Sequence, residues 1–144
     1  MRVFDASSII YAWDNYPVLK FPKLWEWMGT EIQAKEFSIP RIAFEEVQSQ
    51  SPNCAKWLKD VGILKIAVSN EITSEALRIK NLLGIMNDQY GGGVGENDLF
   101  IIATARIEGV ELISDESKQP NVPDNMKNYK IPAVCSLPAL KLAA

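Results

Sequence analysis

Four short segments of the sequence carry carboxylates in settings where such groups can bind a metal ion or position a phosphate. In each, an acid follows an apolar strand, lies on a helix or opens an apolar helix. The segments are Phe4-Asp5-Ala6-Ser7-Ser8, Phe44-Glu45-Glu46-Val47, Asn97-Asp98 and Ile113-Ser114-Asp115-Glu116. Because hard divalent cations prefer carboxylate and water oxygens, this chemistry suits Mg²⁺ or Mn²⁺.

Each acid also has an ordinary structural interpretation. Asp5 is suited to cap the helix that follows it, and Asp98 to the first turn of its helix, where a negative charge interacts favourably with the helix dipole. Glu45 and Glu46 point about 100° apart on a helix, so only one of them can face a given cleft. The acids of the fourth segment lie at a common kind of transition from strand to loop.

The sequence contains no histidine. This excludes Ser-His-Asp and Cys-His catalysis, histidine-bound zinc and imidazole acid–base chemistry. Catalysis in this chain would therefore depend on carboxylates, hydroxyls, lysines or a bound metal. Cys54 and Cys135 form no Cys-x-x-Cys pair, so they indicate neither a zinc site nor a thioredoxin-like site, and we expect both to be reduced thiols.

Apolar patterns predict strands that alternate with helices. The predicted strands cover residues 2–4, 37–39, 63–68 and 110–113, with a further candidate at 131–134. The predicted helices cover residues 9–13, capped by Ser7 or Ser8, then 40–50, 55–61, 72–83 and 98–107. Another helix follows Pro22, with Leu24, Trp27, Met28 and Ile32 at helical spacing. Residues 88–95 form a glycine-rich loop, 118–130 an irregular connection and 137–142 a last helical turn.

This alternation favours a three-layer α/β/α fold with a central parallel sheet of four to five strands. Sites in such folds gather at the carboxyl ends of the strands. Asp5 and Asp115 each follow an apolar strand, so we expect both at that edge of the sheet. The chain has 144 residues, of which 47% are hydrophobic, and this predicts a single domain, residues 1–144, with its own core.

Charge and hydropathy restrict the possible partners and location. The formal charge of −3 and the pI of about 5.0 argue against a protein that coats nucleic acid with a broad basic face, but they leave a carboxylate-based nuclease open. No apolar run approaches the roughly 20 residues of a membrane helix. Asp5 interrupts the first apolar stretch, which argues against a signal peptide, so we expect a cytoplasmic protein without membrane contact.

In their order and context, the four acidic segments resemble the PIN-domain family. The resemblance extends from about residue 2 to 135 and is carried by residues 3–10, 39–47, 97–105 and 109–116. Its most specific part is an Asp that opens an apolar Ile-Ala-Thr-Ala helix, followed by a strand that ends in Ser and two acids. The segment from Phe21 to Trp25 is also similar to a poorly characterised PIN-like subfamily of prokaryotes.

The resemblance assigns roles residue by residue. Asp5 matches the first acid of the family, Asp98 the third, and Glu46 the second because an apolar residue follows it directly, with Glu45 as the alternative. The spacing of the family selects Glu116 as the fourth acid, whereas a shift of one residue selects Asp115. Ser7 matches a hydroxyl that supports the first acid, while Ala6 departs from the family, which often has Thr there.

The resemblance implies a ribonuclease that uses Mg²⁺ or Mn²⁺, with RNA as its substrate. Asp5, Asp98 and the fourth acid would hold the metal, and Glu46 would hold a second ion or orient the attacking water. Many small PIN proteins of prokaryotes resemble toxins that pair as homodimers and are blocked by an antitoxin. A homodimer and an antitoxin partner are therefore expected here too.

Two other interpretations remain. The first is a PIN-fold binding or scaffold module without catalysis, which is favoured by the alanine at position 6 and by the ambiguity of the fourth acid. The second is a haloacid-dehalogenase-like phosphohydrolase, which normally needs a second Asp where this chain has Ser7. Among the other features, Gly91–Gly95 lacks the Lys-Ser/Thr of a P-loop and indicates a flexible loop. Four tryptophans (Trp13, Trp25, Trp27 and Trp57) fit the core or an interface better than base stacking. Three lysines (Lys56, Lys59 and Lys118) fit a solvated surface better than phosphate binding.

Overall fold

The computed structural model of the protein describes residues 1–140. This part of the chain forms two compact units. Unit 1 contains Met1–Ala67 and Val110–Asp115, and unit 2 contains Val68–Gly109 and the residues from Glu116 onward. The prediction of a single domain therefore stays a prediction.

Unit 1 is built on a parallel sheet of four strands. Their bounds are β1 (Arg2–Phe4), β2 (Phe37–Pro40), β3 (Leu64–Ile66) and β4 (Glu111–Ile113). The order across the sheet is β3-β2-β1-β4, and all neighbours are parallel. Arg2 lies opposite both Phe37 and Glu111, so these three strands begin at one edge of the sheet. Asp5 follows β1 at the opposite, carboxyl edge.

Four helices complete unit 1: α1 (Ala6–Asn15), α2 (Pro22–Gln33), α3 (Arg41–Gln50) and α4 (Pro52–Asp60). Proline in the first turn of α2 and α4 has a backbone angle already suited to a helix start. The predicted cap of α1 by Ser7 or Ser8 is wrong, because the helix begins directly after Asp5 and includes both serines. Helix α4 starts three residues before the predicted position because Pro52 initiates it.

Three tryptophans pack against one another in unit 1. The ring centroid of Trp25 lies 5.2 Å from that of Trp13 and 4.9 Å from that of Trp57. Trp25 is 2% exposed, and its Nε1 donates a hydrogen bond to the carbonyl oxygen of Tyr16 at 2.6 Å. Trp27, which the sequence pattern placed on the buried face of α2, is 51% exposed. A core position for Trp27 is therefore wrong, because the helix buries the stripe that begins at Trp25, whereas an interface position stays a prediction.

Cys54 lies in the core of unit 1 as a free thiol. Burial raises the pKa of this thiol from 9.0 to about 12, and the carboxylate of Asp14 adds to the increase. In the unfolded chain the thiol loses its proton near the ordinary value, so the native state binds this proton more tightly. Ionisation of Cys54 therefore does not change the free energy of unfolding below pH 9.0, and it lowers that free energy as the pH rises from there toward about 12.

We expect the free energy of unfolding of the wild-type chain to fall more steeply with pH in this alkaline interval than that of Cys54→Ala. The difference between the two slopes has an upper limit of about 1.4 kcal/mol per pH unit, because one proton is involved. Urea unfolding of both proteins at a series of pH values measures it. Parallel slopes would mean that the folded thiol ionises as easily as the unfolded one.

Unit 2 contains the helices α5 (Asn70–Leu82), α6 (Glu96–Glu108) and α7 (Ile131–Cys135), and a 3-10 helix at Met126–Asn128. The predicted apolar stripe of α5 is confirmed, since Ile72, Ala76, Ile79 and Leu83 are all buried. Helix α6 is confirmed as a buried helix. It ends at Gly109, whose φ of 67° is the left-handed conformation common after a helix.

The last strand candidate, residues 131–134, was predicted wrongly. This segment forms α7 instead, with Pro132 in its first turn. The carboxylate of Glu116 accepts a hydrogen bond from the backbone N–H of Ile131 at 2.9 Å, which satisfies one of the free N–H groups at the helix start. Short apolar runs do not distinguish a strand from a helix, and here the proline and the carboxylate favour the helix.

The glycine-rich loop is held closely against the segment around the 3-10 helix in unit 2. The backbone N–H of Val94 donates to the carbonyl oxygen of Tyr129 at 2.9 Å, and that of Gly92 to Oδ1 of Asn128 at 2.9 Å. A Cβ on Gly93 would lie 2.1 Å from the carbonyl oxygen of Tyr129. Close backbone approach therefore explains the glycine at position 93 better than the flexibility that the sequence suggested.

Replacing Gly93 with alanine is expected to reduce the free energy of unfolding by about 1–3 kcal/mol, because a backbone atom cannot move aside as a side chain can. Gly92→Ala is the matched control: its Cβ would have only Asn128 Oδ1, at 4.0 Å, as a neighbour. We expect its effect to stay within about 0.5 kcal/mol. Chemical denaturation measures both, and equal losses would contradict the packing explanation.

The structure confirms the predicted α/β class and the central parallel sheet, and it sets the number of strands at four. Such a sheet, with helices between successive strands, is consistent with the predicted three-layer α/β/α architecture. Among the described residues, no helix is long and apolar enough to cross a membrane.

Candidate active site

Asp5 is the one buried carboxylate among the described residues, with 4% of its surface exposed. It follows β1 directly, and its backbone N–H donates to the carbonyl oxygen of Ile113 on β4 at 2.8 Å. Asp5 occupies the N-cap position of α1, but its side chain makes no capping hydrogen bond. Capping, which is the ordinary explanation for an Asp at this point, therefore does not account for its carboxylate.

Two serine hydroxyls hold the Asp5 carboxylate instead. Ser7 Oγ donates to Asp5 Oδ2 at 2.8 Å, and Ser114 Oγ donates to the same oxygen at 2.9 Å. Ser7 Oγ in turn accepts a hydrogen bond from the backbone N–H of Asp115 at 3.4 Å. These contacts link the end of β1, the first turn of α1 and the residues after β4. They also fix the orientation of the carboxylate plane.

The two hydroxyls offset part of the cost of burying this group. A polar group buried without partners costs roughly 1–3 kcal/mol, and a charged one costs more. The arrangement leaves the carboxylate oriented at the carboxyl edge of the sheet, where sites of parallel α/β folds form. The predicted supporting role of Ser7 agrees with this contact.

Sequence reasoning did not find the contact between Ser114 and Asp5. The two residues are 109 positions apart in the chain. They meet because Phe4 pairs with Ile113 in the register of β1 and β4, so the next residue of each strand is also adjacent. The signal was a serine directly after an apolar strand, but only the pairing of the two strands gives it a partner.

Glu46, the predicted second acid, lies on α3 of unit 1 and is half-buried, whereas Glu45 is exposed. Phe44 and Val47 are buried, as the sequence predicted. Of the two adjacent glutamates, Glu46 is therefore the one turned toward the protein. This is consistent with the choice made from the resemblance.

Asp98, the predicted third acid, belongs to unit 2 and lies in the first turn of α6. Its Oδ2 accepts a hydrogen bond from the backbone N–H of Gly95 at 3.0 Å, as in a capping box. The helix begins two residues before the predicted start, so Asp98 is its third residue. The ordinary interpretation, a residue that stabilises the helix start, thus applies to at least one of its oxygens.

The two candidates for the fourth acid differ in setting. Asp115 ends the part of unit 1 that carries β4, and its side chain is exposed. Glu116 begins the last part of unit 2 and is half-buried, and its Oε2 accepts the hydrogen bond from Ile131 described above. Glu116 therefore contributes to the start of α7. The choice between the two as a metal ligand stays a prediction.

Among residues 1–140, no three Asp, Glu or Cys side chains form a group that could hold a metal ion. This gives the predicted metal site no direct support. The donor chemistry of Asp5 nevertheless fits a hard divalent cation, because it is an oriented carboxylate. Mg²⁺ commonly binds through one or two carboxylates, keeps several waters and takes further oxygens from a substrate phosphate. Asp5 fits such a site as one protein ligand.

The tryptophans and lysines considered in the sequence analysis pack in the core of unit 1 or lie on the protein surface. Trp13, Trp25 and Trp57 form the packed cluster of unit 1, in agreement with the core interpretation. Lys56 pairs with Asp60 at 2.8 Å on the surface of α4. Lys59 and Lys118 are exposed.

Residues 3–142 match the family model described as "Domain of unknown function (DUF4411)". The chain belongs to this family. All acids of the candidate site, Asp5 to Glu116, fall within the part of this DUF4411 protein that is matched. No curated protein matches the chain, and no solved structure matches it.

Proposed function

We propose that this DUF4411 protein is a metal-dependent ribonuclease that hydrolyses RNA phosphodiester bonds with Asp5 at its centre. The observation that carries the proposal is the Asp5 carboxylate: it is buried, it does not cap its helix, and two serine hydroxyls orient it. The resemblance to the PIN-domain family places its first metal-binding acid at this residue.

The contacts of Asp5 are those expected for an oriented metal ligand. Hydrogen bonds from neighbouring groups to a ligating carboxylate set its direction, and their loss typically lowers metal affinity or activity by about 10–100-fold. Here both hydroxyls bind one oxygen, Oδ2, and come from two different elements of unit 1. The stability of α1 does not explain why two hydroxyls bind this buried carboxylate, because the Asp5 side chain does not cap the helix.

In the proposed mechanism, a bound Mg²⁺ or Mn²⁺ would lower the pKa of a water molecule and neutralise charge on the phosphate. Asp5 would bind this ion with its oriented carboxylate. The resemblance adds Asp98 and either Asp115 or Glu116 as further ligands. It gives Glu46, which is half-buried on α3, the role of binding a second ion or orienting the attacking water.

A second candidate function is a binding or scaffold module without catalysis. It is favoured by the absence of a metal-holding group of three acids or cysteines within residues 1–140. It is also favoured by Ala6, which is only 2% exposed and stands where the family often has a threonine hydroxyl. Such a module would bind its partner without cutting RNA.

The biological setting is proposed from the resemblance alone. The chain would act in the cytoplasm as the toxin of a toxin–antitoxin pair, as a homodimer that a separate antitoxin protein inhibits. This setting would be supported if a short reading frame next to the gene for this chain encoded a DNA-binding antitoxin.

Incubation of the purified protein with a pool of short RNAs tests the nuclease. We expect cleavage with Mn²⁺ or Mg²⁺, none with EDTA, and recovery when the metal is added back. Because residues 1–140 contain no preformed group of three acids or cysteines, we expect the metal to bind more tightly when RNA is present. RNA that is bound but not cut with any divalent ion would instead favour the binding module, and cleavage that continues in EDTA would exclude the metal mechanism.

A further inference from the structure

A cavity of unit 1 lies at the edge of the sheet opposite to Asp5. It has a volume of about 250 Å³. We call it the amino-edge pocket, because it is formed where β1, β2 and β4 begin and where α2 passes. Its walls include Arg2, Trp27, Glu31, Glu36, Phe37 and Glu111. None of these residues has a role in the proposed nuclease.

The aromatic wall of this pocket is unusually exposed. Trp27 is 51% exposed, although an indole ring is one of the largest apolar groups a chain can bury. Its edge-on contact with the buried ring of Phe37, with centroids 5.9 Å apart, steadies the indole at the wall. An exposed, supported indole can stack on a flat cation.

The polar wall of the pocket is acidic. The pocket is also lined by Met1, so three glutamates against Arg2 and the amino-terminal ammonium group of Met1 give a net charge of −1. Arg2 pairs with Glu111, with 3.2 Å between Arg2 Nε and Glu111 Oε2. Glu31 and Glu36 have no ion pair with any described residue. Glu31 lies one helical turn after Trp27, so its carboxylate lies on the same side of α2 as the indole.

We propose that the amino-edge pocket binds an arginine side chain presented by a protein partner. A guanidinium group is flat enough to stack on Trp27 and has the paired N–H donors that a carboxylate accepts. Within the wall, Glu111 already accepts a hydrogen bond from the guanidinium of Arg2, which leaves Glu31 and Glu36 for the guanidinium of a partner. A lysine ammonium, which is more strongly hydrated and lacks the planar face, fits less well.

NMR titration of the ¹⁵N-labelled full chain with the peptide acetyl-Gly-Arg-Gly-amide tests this proposal. We expect saturable shifts of the Trp27 indole N–H signal and of the amides of Glu31 and Phe37. The same peptide with citrulline, which has nearly the same shape but no charge, should cause no such shifts. The lysine peptide should bind more weakly than the arginine peptide.

Variants separate the pocket from a general attraction to an acidic protein. Glu31→Gln combined with Glu36→Gln should weaken binding by about tenfold or more, since charge-assisted hydrogen bonds are lost. Glu26→Gln removes an exposed acid of the same helix outside the pocket and should leave the affinity unchanged. Trp27→Phe assigns the indole signal and should retain partial binding.

Several outcomes would overturn the proposal. Equal shifts with citrulline, an equal loss in Glu26→Gln, or no shift at the pocket even with millimolar arginine peptide would each do so. A short RNA that shifts the Trp27 signal in place of the peptide would assign the pocket to nucleic acid. Asp5→Asn should bind the peptide like the wild type, so this test is independent of the nuclease.

Discussion

Asp5→Asn is expected to reduce metal-dependent RNA cleavage by about a thousandfold or more. The amide keeps the size of the side chain but removes its negative charge. The proposed site would then lose the ligand that two hydroxyls orient, and with it several kcal/mol of stabilisation of the charged transition state, at about 1.4 kcal/mol per tenfold in rate. Single-turnover cleavage of one RNA substrate with saturating Mn²⁺ measures the loss.

Asp14→Asn provides the matched control for this experiment. Asp14 lies on α1 of the same unit, is exposed and undergoes the same change of charge. We expect its cleavage rate to stay near that of the wild type. If both variants keep full activity, Asp5 is not a metal ligand of the reaction. If both lose activity alike, a general effect of charge replaces the specific role of Asp5.

Trp25→Ala is expected to cost about 3–5 kcal/mol of unfolding free energy. The substitution removes a fully buried indole from the contacts with Trp13 and Trp57, and a cavity remains because the surrounding rings cannot close it completely. It also leaves the carbonyl oxygen of Tyr16 without its indole donor. Since a domain is stable by only about 5–15 kcal/mol, the loss is a large fraction of the total. Urea denaturation followed by circular dichroism measures it.

Trp27→Ala makes the same chemical change two residues further along α2. Its indole is half exposed and contacts Phe37 at one edge, so we expect a loss of no more than about 1 kcal/mol. The large difference between the two variants follows from the burial of Trp25 and from its hydrogen bond to Tyr16. Similar losses would show that the helix face assigned to the core is incorrect.

Local patterns in the sequence determined much of the fold. The short apolar runs at the start of the chain and before Asp115 predicted β1 and β4 within one residue of their bounds. The stripe of α5 was read correctly because four apolar residues recur there at helical spacing. The location of Asp5 at a carboxyl edge also followed from the sequence, since a strand with an acid after it has few other places in a parallel sheet.

Where patterns were short or ambiguous, tertiary contacts decided. Both Trp25 and Trp27 lie near a possible apolar stripe of α2, and only the packing against Trp13 and Trp57 selects Trp25. Residues 131–135 form a helix because a proline and the carboxylate of Glu116 support its start. Pro132 is a local signal for a helix start that the apolar pattern does not include, whereas the contact with Glu116 is visible only in the structure.

For the candidate site too, the sequence determined some features and the tertiary structure determined others. The sequence alone selected the acids by their type and by their place next to strands and helices. The resemblance had already supplied Ser7 as the hydroxyl beside Asp5. Only the structure gave the second hydroxyl, that of Ser114, and the backbone partners of Asp98 and Glu116 at helix starts. The physical reason is the separation along the chain over which each kind of interaction acts. Propensity and periodicity act over a few residues, whereas the hydrogen bond between Ser114 and Asp5 depends on the register of two strands that the chain joins only after 109 positions.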